Sequence, residues 1–153
     1  MKFSYATQQL WAKKTRDSQD TTWLPLIVHM QDSAMIADLL WEEWVSDHLR
    51  EKLAQSLSYE TSLDIFEQDD CAKKLLKFLA AAHDIGKATP AFQLKCLIGP
   101  QTEIDHEIIN KLIKADLFST DTPRLLDPQK LPHGLASQNL LVAFGVDKSI
   151  ATI

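Results

Sequence analysis

Three of the chain's histidines stand where helical periodicity turns a side chain towards a core. His29, His83 and His133 lie on separate apolar stretches, "PLIVHMQDSAMIADLL", "KKLLKFLAAAHD" and "PHGLASQNLLVAFG". His83 follows Leu75, Leu76 and Leu79 at spacings that place it on their stripe. His29 shares a face with Ser33, Ile36 and Leu40, and His133 with Ala136, Leu140 and Phe144. A single inward histidine is ordinarily a hydrogen-bonded core residue. Three together, one followed directly by Asp84, make the mixed imidazole and carboxylate set that suits divalent transition metals. His48, at the end of a helical stretch, and His106, in an acidic turn, are expected on the surface.

The adjacency of His83 and Asp84 constrains where they can act. Neighbours on a helix point about 100° apart, so both reach one ion only where the helix is ending. "HDIGKATP" supplies that ending, with Gly86 as the expected stop. Lys87 leaves two readings open. It could neutralise an anionic group held at a metal, such as a phosphate oxygen, or simply favour the helix C-terminus as a cation.

The elements that must position these residues read as all-α. A first helix is expected from Pro25, at its first position, to about Leu49. "SLSYETSLDIFEQ" is a weaker connection, with room for a short helix, and "DDCAKKLLKFLAAAHD" is a helix with Asp69 or Asp70 as N-cap. "TPAFQLKCL" is a short helix with Thr89 capping and Pro90 first. "TEIDHEIINKLIKADLF" carries Thr102 and Asp105 in capping-box spacing, with Ile104, Ile108 and Leu112 on one face. "STDTPRLLDPQKLP" reads as a loop, and Pro132 and Gly145 bound a last helix. The tail "VDKSIATI" offers no cap signal. With four glycines and no sustained alternation, no strand is expected.

Composition narrows the class. The 153 residues, 45% hydrophobic, suffice for one compact domain. A net charge of −5 gives no electrostatic footprint for nucleic acid, so a local site or a partner must supply any attraction for DNA. No apolar run approaches the ~20 residues of a membrane span, and the N-terminus has no secretory pattern. Cys71 and Cys96 fit no CxxC spacing and are expected as reduced, buried thiols of a cytoplasmic protein.

"HDIGK" is the signature of the HD-domain metal-dependent phosphohydrolases. "AAHDIGKATPAFQ", together with "LWAKK", "WLPLIVHMQDSAMIADLLWEEW" and "LPHGLASQNLL" in this order, resembles the HD nuclease domain of Cas3 from type I CRISPR systems. The resemblance runs from about Leu10 to Phe144. It implies an all-α HD-domain helical bundle and a metal-dependent phosphodiesterase, an endo- and exonuclease that degrades invading DNA as single strands. By its pattern His29, His83 and Asp84 hold a first metal, Asp84 bridges towards a second, and His133 serves the second. Lys87 sits beside the scissile phosphate, so Asp84 and Lys87 are the catalytic candidates. The implied cofactors are one or two divalent ions, Mn, Ni, Co or Fe, with Mg admissible. The implied partners are single-stranded DNA, the Cas3 helicase part and the CRISPR surveillance complex (Cascade), without a membrane.

One departure stands out. The family carries a further histidine pair and a late aspartate, whereas no histidine follows His133 here and Asp147 lies too close to the last helix to be their equivalent. Residues 1–153 are therefore expected to be an incomplete HD domain, truncated at the C-terminus, binding at most one metal tightly and cutting DNA poorly when isolated. Two competing readings remain at this level. One is an HD phosphohydrolase acting on nucleotides, which "ATPAFQ" and "LWAKK" disfavour. The other is a catalytically incomplete HD-like binding module.

Overall fold

A computed structural model describes residues 2–15, 21–57, 65–118 and 131–152. Its elements in chain order are α1 (Tyr5–Gln9), β1 (Trp11–Lys14), β2 (Trp23–Pro25), α2 (Leu26–Glu43), α3 (Asp47–Leu57) and α4 (Ile65–Ala82). A 3-10 turn at Ile85–Ala88, α5 (Pro90–Gln93), a second 3-10 turn at Leu94–Leu97, α6 (Glu103–Lys114), α7 (His133–Ala143) and α8 (Lys148–Ala151) follow. The fold is all-α, with a two-stranded antiparallel sheet as its small exception. The chain divides into two compact units, Gln31–Ala82 and Met1–Met30 with His83–Ile153.

The unit Gln31–Ala82 is organised by Trp41. Its indole, 1% exposed, packs with Ala54 and Ala72 and against Leu76, a large ring over residues small enough to admit it. The helix expected to run to Leu49 breaks here. α2 stops at Glu43, and Ser46 starts α3 by accepting the Arg50 N–H on its carbonyl at 3.0 Å. Arg50 then turns back. Its guanidinium donates to the Val45 carbonyl at 3.1 Å, the Glu42 carbonyl at 3.0 Å and the Trp41 carbonyl, satisfying groups that a helix end leaves open. Asp38 pairs with Lys73 at 3.2 Å and Lys77 at 2.9 Å. α4 begins at Ile65, so Asp69 and Asp70 lie within it and do not cap it. Residues 58–64 of the expected weak connection lie outside the described residues.

The other unit contains a core of Trp11, Phe92, Cys96, Ile104, Ile108 and Leu112. The apolar face expected from Ile104, Ile108 and Leu112 is this core's contribution from α6. The Asp105 carboxylate reaches back to the Thr102 N–H at 3.0 Å and the Thr102 hydroxyl at 2.7 Å, as capping-box spacing requires. It also takes an ion pair from Lys14 of β1. Pro25 is not the first helical residue: it ends β2, opposite Trp11, and α2 starts at Leu26, whose N–H donates to the Leu10 carbonyl at 2.7 Å. Strands this short carry too little alternation to read from sequence.

Thr89 occupies the N-cap position of α5, but its hydroxyl donates to the Gly86 carbonyl at 2.7 Å and caps no helical N–H. Gly145 ends α7 as expected, at φ 90°, with the Val146 N–H returning to the Leu141 carbonyl at 3.0 Å. The tail is more ordered than its sequence suggested. Asp147 accepts the Ser149 N–H at 2.8 Å to cap α8, and Ala151 is 1% exposed. Cys96 is buried, and burial pushes its thiol to about 11, whereas Cys71 is only half-buried. Residues 119–130, most of the expected loop, are outside the described residues. No helix among the described residues is long and apolar enough to cross a membrane.

Candidate metal centre

α4 ends at Ala82, one residue before His83, so the helix stops earlier than its apolar stripe suggests. Asp84 then starts the 3-10 turn Ile85–Ala88 with φ −107° and ψ 10°. This bend resolves the angular problem of two adjacent ligands, because His83 and Asp84 no longer follow helical geometry. Gly86 does not act as a helix stop. It is buried inside the 3-10 turn.

Asp84 is the centre of the site and is 5% exposed. Its Oδ2 lies 2.7 Å from His29 Nε2, 3.2 Å from His83 Nε2 and 2.7 Å from Lys87 Nζ. Its Oδ1 lies 3.2 Å from His133 Nε2. The five residues singled out in the sequence, from α2, the 3-10 turn and its approach, and α7, therefore gather about one carboxylate. The two oxygens divide them, with His29, His83 and Lys87 on one side and His133 on the other. His48 and His106 are exposed and take no part.

The histidines are less enclosed than their stripes implied. The side chains of His83 and His133 are 41% and 42% exposed. Ile36 and Leu40, expected to face inward with His29, are 57% and 44% exposed, and Phe144, expected to do so with His133, is 72% exposed. Periodicity shows which residues share a helix face, and whether another element covers that face is a separate matter. The consequence is a site with a buried carboxylate floor and imidazoles reachable by solute.

Electrostatics favour an ionised Asp84. Burial raises its pKa, but hydrogen bonds from Lys87 and His29, with the charges of Lys87 and His83, outweigh it and hold the carboxyl below the ordinary value. His133 is shifted down, first by burial and then by Lys87 and Lys95, against the pull of Asp84. A neutral imidazole with a free ring nitrogen is the form that ligates metals.

His29, His83 and Asp84 each offer one ligand atom, all within 4.8 Å of one another. Two imidazoles and an anionic oxygen at that spacing fit an intermediate divalent cation. Lys87 stands in the last turn of the 3-10 segment, beyond the end of α4, a position compatible with both of its readings. Its side chain is 14% exposed, and its ammonium is paired with Asp84.

Three supporting residues were not foreseen. Gln93, 0% exposed, uses its amide to accept the Trp11 N–H at 3.1 Å and to donate to the carbonyls of Trp11 at 2.9 Å and Lys87 at 2.7 Å. Ser137 binds both Gly86 and His133. Phe92 sets its ring edge-on to His133, with centroids 5.7 Å apart. Ser137 had a signal in its four-residue spacing from His133 on one helix face, and Phe92 and Gln93 close the segment "AAHDIGKATPAFQ" that carries the family resemblance.

The sequence profile of the family described as Cas3, HD domain, matches residues 11–153. The CRISPR-associated nuclease/helicase Cas3 of Streptococcus thermophilus is 38% identical over 143 residues, covering 94% of this chain. The chain spans 15% of that relative's length. No solved structure matches.

Proposed function

We propose that this chain, which belongs to the Cas3 HD-domain family, is a metal-dependent nuclease unit that cuts single-stranded DNA in the cytoplasm during type I CRISPR interference. The observation that carries the reading is one buried carboxylate, Asp84, with three imidazoles and an ammonium within 2.7–3.2 Å of its oxygens. The S. thermophilus relative is a CRISPR-associated nuclease/helicase, which supports a helicase part as partner, and the family resemblance adds the CRISPR surveillance complex to this reading.

In this reading His29, His83 and Asp84 hold one divalent ion, and Asp84 with His133 holds a second. A bound divalent ion supplies Lewis-acid charge to a phosphodiester and makes water a better nucleophile near neutral pH. The protein's own contribution is preorganisation. Asp84 is already anionic, so no proton need be lost before it serves as a ligand. His133 is biased to its neutral form, and the half-exposed rings leave an approach for a strand. Lys87 sets a positive charge beside the carboxylate, where a scissile phosphate would lie, and Gln93 fixes the backbone from which Lys87 projects. Asp84 and Lys87 are the proposed catalytic residues. The native ion belongs to the Mn, Ni, Co and Fe group, with Mg also tolerated by oxygen ligands.

The test is to strip the chain with chelator and restore Mn, Ni, Co, Fe or Mg singly. Each sample is offered single-stranded DNA, duplex DNA and a panel of nucleotides. Metal-dependent cleavage of single strands, weak in residues 1–153 by themselves and lost in Asp84→Ala, is expected. Hydrolysis of nucleotides without DNA cleavage would transfer the reading to a nucleotide phosphohydrolase. Tight metal binding without turnover of either would leave a binding module.

A further inference from the structure

Beside the liganding side chains, α7 and the 3-10 turn meet at a point where no side chain separates them. Gly86 is buried there, and a Cβ at this position would stand 2.1 Å from the His133 carbonyl oxygen, 2.5 Å from the Ser137 nitrogen and 2.8 Å from its hydroxyl oxygen. Backbone meets backbone, which only glycine allows. Across the contact the Gly86 N–H donates to the Ser137 hydroxyl at 2.8 Å, and that hydroxyl donates to the His133 carbonyl at 2.9 Å. Ser137 is 3% exposed.

We propose that Ser137 and Gly86 form a clamp that positions His133 against Asp84, and so sets the distance between the two metal positions. The inference rests on the metal-dependent function proposed above. One hydroxyl ties the first residue of α7 to a backbone amide two residues beyond Asp84. His133 Nε2 then stands 3.2 Å from Asp84 Oδ1, the oxygen that His29 and His83 leave open. Serine is suited to the task because its hydroxyl accepts and donates at once, and its small size respects the close approach at Gly86. Phe92 meets the His133 ring edge-on, so the clamp fixes the backbone while Phe92 limits the ring. Ser137 touches neither substrate nor ion, and acts through His133 as a positioning residue. Residues of this kind typically alter metal affinity by on the order of 10–100-fold when removed.

The test titrates the full chain, nitrogen-15-labelled at its histidines, with diamagnetic Zn(II) and follows the ring-nitrogen shifts, which change strongly only where a ring ligates the ion. In the unaltered chain the Nε2 signals of His29, His83 and His133 should move. In Ser137→Ala those of His29 and His83 should still move, while that of His133 stays, because its ring has left the ion. Ser137→Cys, which keeps a similar volume and a weak donor, should fall between. Thermal denaturation and circular dichroism on the same samples verify the fold. If His133 moves in Ser137→Ala as fully as the other two, the clamp is refuted. If all three histidines fail to move in that variant, Ser137 is a general structural residue and the proposal also fails. No movement at any histidine of the unaltered chain would overturn the metal reading itself, and this inference with it.

Discussion

Gln93→Ala should cost this fold far more than an exposed glutamine would. The side chain is 0% exposed and serves the Trp11 N–H, the Trp11 carbonyl and the Lys87 carbonyl at 3.1, 2.9 and 2.7 Å. Truncation strips a partner from three backbone groups beneath the site. A buried polar group left without its partner costs about 1–3 kcal/mol. Three would sum to about 3–9 kcal/mol, and water entering the space vacated by the amide would recover part of it. The working expectation is a loss of about 3–5 kcal/mol, against the roughly 5–15 kcal/mol that holds a typical domain folded. Gln93→Glu retains the volume and an acceptor for Trp11, but turns an oxygen towards two carbonyl oxygens. It should therefore be comparably damaging at pH 7. Urea denaturation followed by far-ultraviolet dichroism would measure both. A loss below about 1 kcal/mol for Gln93→Ala would refute the claim that this amide joins β1 to the turn bearing Lys87.

Asp84→Ala should abolish Mn(II) binding measured by calorimetry while helical dichroism is retained; binding at the original affinity would remove Asp84 from the site. Lys87→Met should weaken cleavage of single-stranded DNA more than it weakens metal binding, and equal losses in parallel assays would argue against a role at the phosphate. Burial raises the Asp105 pKa, but the Lys14 ammonium and the Thr102 hydroxyl and N–H outweigh it and hold the carboxyl below its ordinary value. The unfolded chain then binds the proton more readily. The resulting stability is present above the unfolded pKa of about 4 and is lost as pH falls through the depressed folded value. Urea midpoints in acid should fall less steeply in Asp105→Asn, and identical acid profiles would count against the pairing.

Local signals in the chain determined a good deal. The 3.6-residue period placed α4, α6 and α7, because an apolar stripe of that length has few other ways to be buried. Thr102 with Asp105, Pro90 and Gly145 marked helix ends through backbone chemistry that depends only on near neighbours. The adjacency of His83 and Asp84 marked the candidate site, since both residues sit within one turn of chain. Tertiary structure decided the rest. Trp11 pairs with Pro25, and Lys14 reaches Asp105, 91 residues away, through contacts that no local window contains. The stripe of His29 proved not to be covered at Ile36 and Leu40, because coverage is a property of what packs against a helix and not of the helix. The same reason explains Gly86. Its sequence context reads as a helix stop, but what requires glycine there is the backbone of α7, some 2 to 3 Å from where a Cβ would be. That approach, set by the packing of elements separated by about fifty residues of chain, lets His133 face the one oxygen of Asp84 that its nearer histidines do not occupy.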